Sequence, residues 1–195
     1  MVVMADKSVP TSDHIRDIIS FVEASPTSYH AVAELTRRLE QAGFQRLEET
    51  ESWPSVEGRR YVVRDGAVIA WITPEKVTPQ LGARIVGSHT DSPSFKLKPN
   101  ATVTNQGWQQ VGMEVYGGGL LNSWLDRDLG LSGRLVTCDG QAHLVRTGPI
   151  LRISQLAPHL DRTVNDDLKL DRQRHLMPIL SVGKPDLDVE DLLCE

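Results

Sequence analysis

The sequence predicts an α/β fold, and three observations support this prediction. Two amphipathic helical segments open the chain, several β-prone runs follow them, and a short polar motif stands at the end of one such run. Folds of this class pack helices against sheets and place their chemistry at the C-terminal ends of strands. At 195 residues the chain is long enough for one good-sized core or two small ones.

The opening segment contains two predicted helices. In residues 13–24, apolar side chains recur three or four positions apart, which indicates an amphipathic helix. Pro26 interrupts the pattern, a second helix is predicted over residues 28–42, and Gly43 supplies its C-terminal cap.

A β-hairpin is predicted next. Residues 61–64 and 67–72 are β-prone, and Asp65-Gly66 between them is a strong two-residue turn signal. A further β-prone run, residues 83–88, is predicted to be a strand whose end carries His89.

The pattern changes at about Lys96. Pro99, Asn100 and Gly107 predict a loop, after which short strand-like stretches alternate with turns: residues 112–116, 133–138 and 142–146. We therefore expect a first domain over residues 1–95 and a second, β-rich and incomplete domain over residues 96–195, which carries a loop at residues 158–174.

Composition excludes several classes of function. A net charge of −5 and a pI near 5.7 disfavour nucleic-acid binding, which usually needs a basic face. No apolar run approaches the roughly 20 residues that span a bilayer, and residues 1–10 lack the order of a signal peptide. Cys138 and Cys194 form no Cys-x-x-Cys pair, so no thiolate zinc cage is expected. We expect a cytoplasmic protein with no membrane partner.

The motif that carries chemistry is His89-x-Asp91. In an extended segment, residues two apart point to the same side. Histidine is a good zinc ligand, and a nearby carboxylate can accept its second ring N–H and fix its tautomer. A histidine at a strand end is also often purely structural, so this pair alone leaves both interpretations open.

Two other clusters are better explained without catalysis. Residues 117–119 are three glycines, but neither a Gly-x-Gly-x-x-Gly helix start nor a Gly-Lys-Ser/Thr sequence follows, so a nucleotide site is rejected. Asp126, Arg127 and Asp128 fit a structural network of arginine and carboxylates.

The motifs around this pair resemble those of the aspartyl aminopeptidase family, which are cytosolic two-zinc exopeptidases. The matching segments occur in family order: 25–27 with 29–32, 89–93 with 96–99, 107–112, 114–119, 124–131 with 133–134, 149–153, 156–160 and 175–180. The resemblance runs from about residue 20 to residue 180 and covers the N-terminal portion of the family only.

The resemblance implies an α/β zinc-peptidase catalytic domain, of which this chain holds the N-terminal part, followed by an inserted β-rich dimerisation domain. It implies two zinc ions (Zn2+), with His89 as a metal ligand and Asp91 as its orienting partner. It also implies that His159 reaches a neighbouring subunit's active site and polarises the substrate carbonyl. Most members carry Ile or a similar residue where this chain has Pro158, a difference that bears on the placement of His159.

The function implied is a zinc-dependent aminopeptidase that releases N-terminal Asp or Glu residues from peptides and acts as a homo-oligomer. The remaining ligands and the general-base glutamate are expected after residue 195, so the 195-residue chain alone is expected to be inactive. The alternative is a catalytically inactive fragment that retains only self-association.

Overall fold

The structure, a computed structural model, describes residues 11–53, 57–74, 76, 78, 82–183 and 187–194. Residues 1–10 and the side chain of Cys194 lie outside this description. The chain forms two compact units, Met1–Asp91 and Ser92–Glu195. No helix among the described residues has the length and apolar character needed to cross a membrane.

The first unit combines two helices with a three-stranded sheet. Its elements are α1 (Thr11–Ala24), α2 (Ser28–Gln41), β1 (Gln45–Arg46), β2 (Gly58–Arg64) and β3 (Ala67–Thr73). The sheet order is β1-β2-β3, with β1 parallel to β2 and β2 antiparallel to β3. The predicted helices and hairpin are confirmed, with small differences at their ends.

Local chemistry explains the ends of α2. The Thr27 hydroxyl accepts a hydrogen bond from the main-chain N–H of His30 at 3.3 Å, which satisfies a donor that has no partner within the helix. After the helix, Gly43 has a φ of +80°, a left-handed conformation that glycine adopts without a steric penalty.

Tyr61 on β2 is the largest side chain in the small core of this unit. It is fully buried, together with its neighbour Val62 and with Ala31 and Val32 of α2. Its hydroxyl donates to Glu40 Oε1 at 2.7 Å. Burial, reinforced by this hydrogen bond, raises the pKa of Tyr61 to about 12, so the phenol stays protonated in the folded protein.

Many apolar side chains of the first unit remain exposed. They lie on α1, on β3 and in the segment before His89: Ile15, Ile18, Ile19, Val22, Ile69, Ile72, Ile85 and Val86. Strand β3 is also an edge of its sheet.

The prediction of a strand at residues 83–88 is wrong. Residues 82–89 form neither helix nor strand, and Ile85 and Val86 are 89% and 98% exposed. Ile and Val favour strands because they pack on a pleated, half-buried surface. Within the part of the chain that the structure describes, no strand pairs with this run, so its β propensity is not realised.

The second unit is rich in β-structure. Its elements are β4 (Ser94–Asn105), β5 (Trp108–Tyr116), a short 3-10 helix (Leu121–Trp124), β6 (Asp128–Leu129), β7 (Ser132–Val136), β8 (Ala142–Arg146), β9 (Leu151–Arg152), β10 (Ile179–Val182) and α3 (Val189–Cys194). Five strands form one sheet in the order β4-β5-β10-β9-β6, and β7 and β8 form a separate hairpin. The long connection between β9 and β10 contains the predicted loop.

The segment predicted as a loop after Lys96 is instead the edge strand β4. Its pairing with β5 is irregular between Leu97 and Thr102, and Pro99 lies inside this interval. Proline cannot donate a ladder hydrogen bond, so in sheets it occurs at bulges and edges, and here it has both. Gln106 and Gly107, with φ of 52° and 77°, make the two-residue turn into β5.

Two apolar clusters hold the second unit together. The first joins the sheet to α3 through Ala101, Val111, Met113, Leu151 and Val189. The second consists of Leu125, Ile153 and Leu176, and Leu168 and Leu170 pack against it. Because Leu168, Leu170 and Leu176 belong to the β9–β10 connection, this cluster anchors that connection to the sheet.

A half-buried carboxylate on α2 leads to a prediction about acid stability. Glu34 is 11% exposed and accepts hydrogen bonds from Arg37 at 2.6 and 2.7 Å and from Arg38 at 2.7 Å. The hydrogen bond from Arg37 and then that from Arg38 lower the pKa of Glu34 from 4.5 to about 2. A carboxyl group whose pKa is lower in the folded than in the unfolded state stabilises the protein at pH values above its unfolded-state pKa. This stabilisation is lost as the pH falls toward 2.

We expect Glu34→Gln to lower the free energy of unfolding at pH 7 by about 1–2 kcal/mol, since both arginines are partly solvated. The difference between wild type and variant should shrink as the pH falls from about 4.5 to about 2.5. Urea denaturation at several pH values measures it, with Glu51→Gln at an exposed position as control. A difference that does not change with pH would contradict the assignment.

Candidate metal centre

The candidate site lies at the end of the irregular segment in the first unit. His89 and Asp91 are both exposed, with side chains that are 79% and 51% accessible, and the half-buried Thr90 stands between them. The structure therefore brings the two predicted residues together, although no strand delivers them.

The hydrogen bond of His89 defines its tautomer. Its Nδ1 lies 2.6 Å from the main-chain carbonyl oxygen of Asp91. A carbonyl oxygen can only accept, so Nδ1 must carry the hydrogen. In the neutral ring, Nε2 then keeps its lone pair, which is the form in which histidine binds a metal.

The orienting group differs from the one that the sequence suggests. The carboxylate of Asp91 was expected to accept the ring N–H, but its Oδ1 is 3.5 Å from Nδ1, farther than the carbonyl oxygen of the same residue. Main-chain carbonyls are common partners of metal-binding histidines and fix the ring equally well. The Asp91 carboxylate is thus not the closest partner of the ring.

Thr90 ties this segment to the β2–β3 turn. Its hydroxyl donates to the carbonyl oxygen of Gly66 at 2.6 Å. Gly66 in turn lies against the start of α2, since a Cβ added there would stand 2.6 Å from Ser28 Oγ. The sequence pattern assigns Gly66 only to the hairpin turn and Thr90 only to the segment between His89 and Asp91, so their contact was not predicted.

The donor set fits one part of a zinc site. Structural and catalytic zinc ions take three or four protein ligands, commonly imidazole and carboxylate. Within the described residues, no group of three or more His, Cys, Asp and Glu side chains is arranged to hold a metal ion. His89 Nε2 is therefore a suitable single ligand, and further ligands would have to come from outside this part of the chain.

His159 belongs to the second unit. It is exposed in a tight turn in which the Ala157 carbonyl accepts from the main-chain N–H groups of Leu160 and Asp161, at 2.8 and 3.1 Å. Leu156 and Leu160 beside it are also exposed.

The Asp126-Arg127-Asp128 cluster has a structural partner in another strand. Arg152 on β9, rather than Arg127, approaches both carboxylates, with Nε 3.8 Å from Asp126 Oδ1 and Nη1 3.2 Å from Asp128 Oδ1. Arg152 also donates to the main-chain oxygen of Asp126 at 3.0 Å. The network therefore links the start of β6 to β9.

Comparison with known proteins gives one family and several related structures. The family described as aminopeptidase I zinc metalloprotease (M18) matches residues 21–191. A probable M18 family aminopeptidase 2 from Streptomyces avermitilis is 55% identical over 172 residues, which cover 87% of this chain and 40% of that protein. The chain thus spans about two-fifths of the length of this curated relative.

Two solved structures share the fold. One is a cryo-EM structure of the Ape4 and Nbr1 complex, with 34% identity and a TM-score of 0.82, covering 94% of this chain and 37% of that one. The other is the mApe1 dodecamer of S. cerevisiae, with 26% identity and a TM-score of 0.68, covering 88% and 48% of the two chains.

Proposed function

The chain belongs to the aminopeptidase I zinc metalloprotease (M18) family, and from this premise we propose that it is part of a cytoplasmic zinc aminopeptidase that releases N-terminal Asp or Glu from peptides. The family resemblance expected from the sequence motifs is confirmed at the level of a zinc aminopeptidase. The acidic preference, the two-zinc stoichiometry and the activity of the whole protein are part of the proposal.

The observation that carries the proposal is the 2.6 Å contact between His89 Nδ1 and the Asp91 carbonyl, because it leaves Nε2 presented for a metal. His89 serves as a metal ligand, and Asp91 holds its ring in the required tautomer. When bound, the zinc pair supplies a Lewis acid and lowers the pKa of a coordinated water. Residues 1–95 act as the N-terminal part of the catalytic domain.

Residues 96–195 act as an inserted dimerisation domain that carries His159 to a neighbouring subunit. His159 and the flanking Leu156 and Leu160 are exposed, so this turn is available to a second copy of the chain. The dodecameric state of the related mApe1 supports a homo-oligomer. In the neighbouring site, the His159 imidazole donates a hydrogen bond to the substrate carbonyl.

Activity tests use a complete enzyme, in which this chain is followed by the C-terminal remainder of the Streptomyces avermitilis relative. We expect it to hydrolyse Asp- and Glu-anilides faster than Leu-anilide and to lose this activity to a chelator. The 195-residue chain with added zinc is expected to show no turnover above a metal-only blank, because one imidazole holds zinc too weakly. Equal rates on the three anilides would refute the acidic preference.

The role of His159 between subunits gives a separate prediction. His159→Ala and His89→Ala enzymes should each be inactive, but co-expression should restore part of the activity. Some subunits in mixed oligomers then combine an intact His89 with a neighbour's intact His159. Mixing two His159→Ala preparations with different tags is the control. If co-expression restores no activity although mixed oligomers can be isolated by their tags, His159 does not act in the active site of a neighbouring subunit.

The alternative function is self-association without catalysis. It is favoured by the open edges of β3 and β4 and by the exposed apolar residues of α1, since exposed edges readily pair with another chain. Light scattering on the 195-residue chain at micromolar concentration distinguishes a monomer from a dimer or larger species. Self-association together with an inactive complete enzyme would favour this alternative.

A further inference from the structure

We propose that Thr90 is a positioning residue for the metal site: its hydrogen bond to Gly66 holds residues 89–91 against the β2–β3 turn and so maintains the tautomer of His89. The inference rests on the proposed function in one respect, the role of His89 as a ligand. The hydrogen-bonded geometry itself is independent of that role.

The need for such a device follows from the segment that carries His89. Residues 82–89 are in no helix or strand, and the side chains of Ile85 and Val86 are almost fully exposed. Packing of these residues therefore does not fix the position of His89. A metal ligand must nevertheless be held within a few tenths of an ångström of its productive position.

Thr90 supplies the restraint from the next position in the chain. Its side chain is half-buried, and Oγ1 donates to the Gly66 carbonyl at 2.6 Å. The residues on either side, His89 and Asp91, are the two partners of the 2.6 Å ring-to-carbonyl hydrogen bond. Fixing the residue between them fixes the short turn of main chain on which that hydrogen bond depends.

The acceptor is itself rigidly placed. Gly66 closes a hairpin in which β2 and β3 pair along their whole length, from Gly58 opposite Thr73 to Arg64 opposite Ala67. At Gly66 an added Cβ would lie 2.6 Å from Ser28 Oγ and 3.0 Å from Ser28 Cβ. A methyl group here would therefore force Ser28 or the turn to move, so glycine allows the turn to lie against α2.

The ring nitrogens of histidine give a direct readout, because their NMR chemical shifts distinguish the two neutral tautomers. In the 195-residue chain at about pH 8.5, His89 is expected to be in the Nδ1–H form, because its Nδ1 lies 2.6 Å from a carbonyl oxygen that can only accept. His175 is an internal control of opposite kind, since its Nδ1 accepts from the main-chain N–H of Asp171 at 3.0 Å and its hydrogen is on Nε2. His89→Gln assigns the signal.

Two pairs of variants test the inference. Thr90→Val removes the donor and should shift His89 toward a mixture of tautomers, whereas Thr90→Ser keeps the hydroxyl and should preserve the wild-type signal. Gly66→Ala displaces the carbonyl that accepts from Thr90 and should produce the same mixture of tautomers. The double variant Gly66→Ala with Ser28→Gly removes the clash with the new methyl group and should restore the Nδ1–H form of His89. The His175 signal should stay unchanged in all four.

In the complete enzyme, Thr90→Val should weaken zinc binding by about 10–100-fold, with Thr90→Ser close to wild type. Unchanged His89 signals in both Thr90→Val and Gly66→Ala would overturn the inference. If the His89→Ala enzyme binds zinc normally, the proposed function is overturned instead, even if Thr90→Val changes the tautomer of His89. The failure of one proposal is thus distinguishable from the failure of the other.

Discussion

His89→Ala in the complete enzyme is expected to lower kcat/KM for Asp-anilide by well over about 100-fold and to reduce the bound zinc. The reason is that a metal ligand is lost outright. Changing only the group that hydrogen-bonds to a metal ligand already lowers metal affinity or activity by about 10–100-fold. Within the described part of the chain, no group of three or more potential ligands is present that could hold the metal in its place. Metal analysis and steady-state kinetics on the same preparation measure both effects.

Asp91→Asn is the matched comparison for this experiment. The variant keeps the main-chain carbonyl that lies 2.6 Å from His89 Nδ1 and changes only the carboxylate at 3.5 Å. We therefore expect kcat/KM to fall by about tenfold, at the low end of the range for groups that hydrogen-bond to a metal ligand. Full activity of His89→Ala would refute the site, and a larger loss in Asp91→Asn than in His89→Ala would assign metal binding to the carboxylate.

Tyr61→Ala is expected to lower the free energy of unfolding of the first unit by about 4 kcal/mol, because it removes the largest buried side chain from a small core. Tyr61→Phe should cost about 1 kcal/mol, since it keeps the ring and removes only the hydrogen bond to Glu40, whose exposed carboxylate water can then solvate. Urea denaturation followed by circular dichroism measures both values.

Ile69→Ala on β3 is the control for this pair, because Ile69 faces Val62 across the hairpin yet is 66% exposed. It should cost less than about 1 kcal/mol, as surface substitutions generally do. A Tyr61→Ala protein as stable as the Ile69→Ala protein would show that the buried tyrosine does not organise this unit.

The sequence predicted those elements whose signals are local. The apolar spacing in α1 and α2, and Asp65-Gly66 between two β-prone runs, specify helices and a hairpin without help from distant residues. The two errors have a common cause. Residues 83–88 have the composition of a strand, but in the described structure no strand lies beside them. Strand β4 contains proline, yet it pairs with β5 at the sheet edge. In both places the presence or absence of a partner strand decided whether the segment became a strand.

The candidate site, like the fold, could be predicted from the sequence only in part. His89 and Asp91 do lie in contact, as their spacing suggests, but the contact is made through a short main-chain turn rather than along a strand. Which atom of Asp91 meets the ring depends on the local main-chain turn, and no pattern of residue types encodes that choice. The contact of Thr90 with Gly66 joins residues 24 positions apart and follows from the fold alone.

The β4–β5 hairpin has a consequence for the order in which the second unit folds. Its strands of 12 and 9 residues are joined by only two residues, Gln106 and Gly107, so its pairing, from Asn105 opposite Trp108 to Ser94 opposite Tyr116, needs no residue outside the hairpin. Hairpins of this kind form in about 1–10 μs, whereas a ribosome adds only about 5–20 residues per second. Once residue 116 has emerged, the hairpin has ample time to pair before the turn carrying His159 is synthesised. It then provides the edge on which β10, made some 60 residues later, can dock.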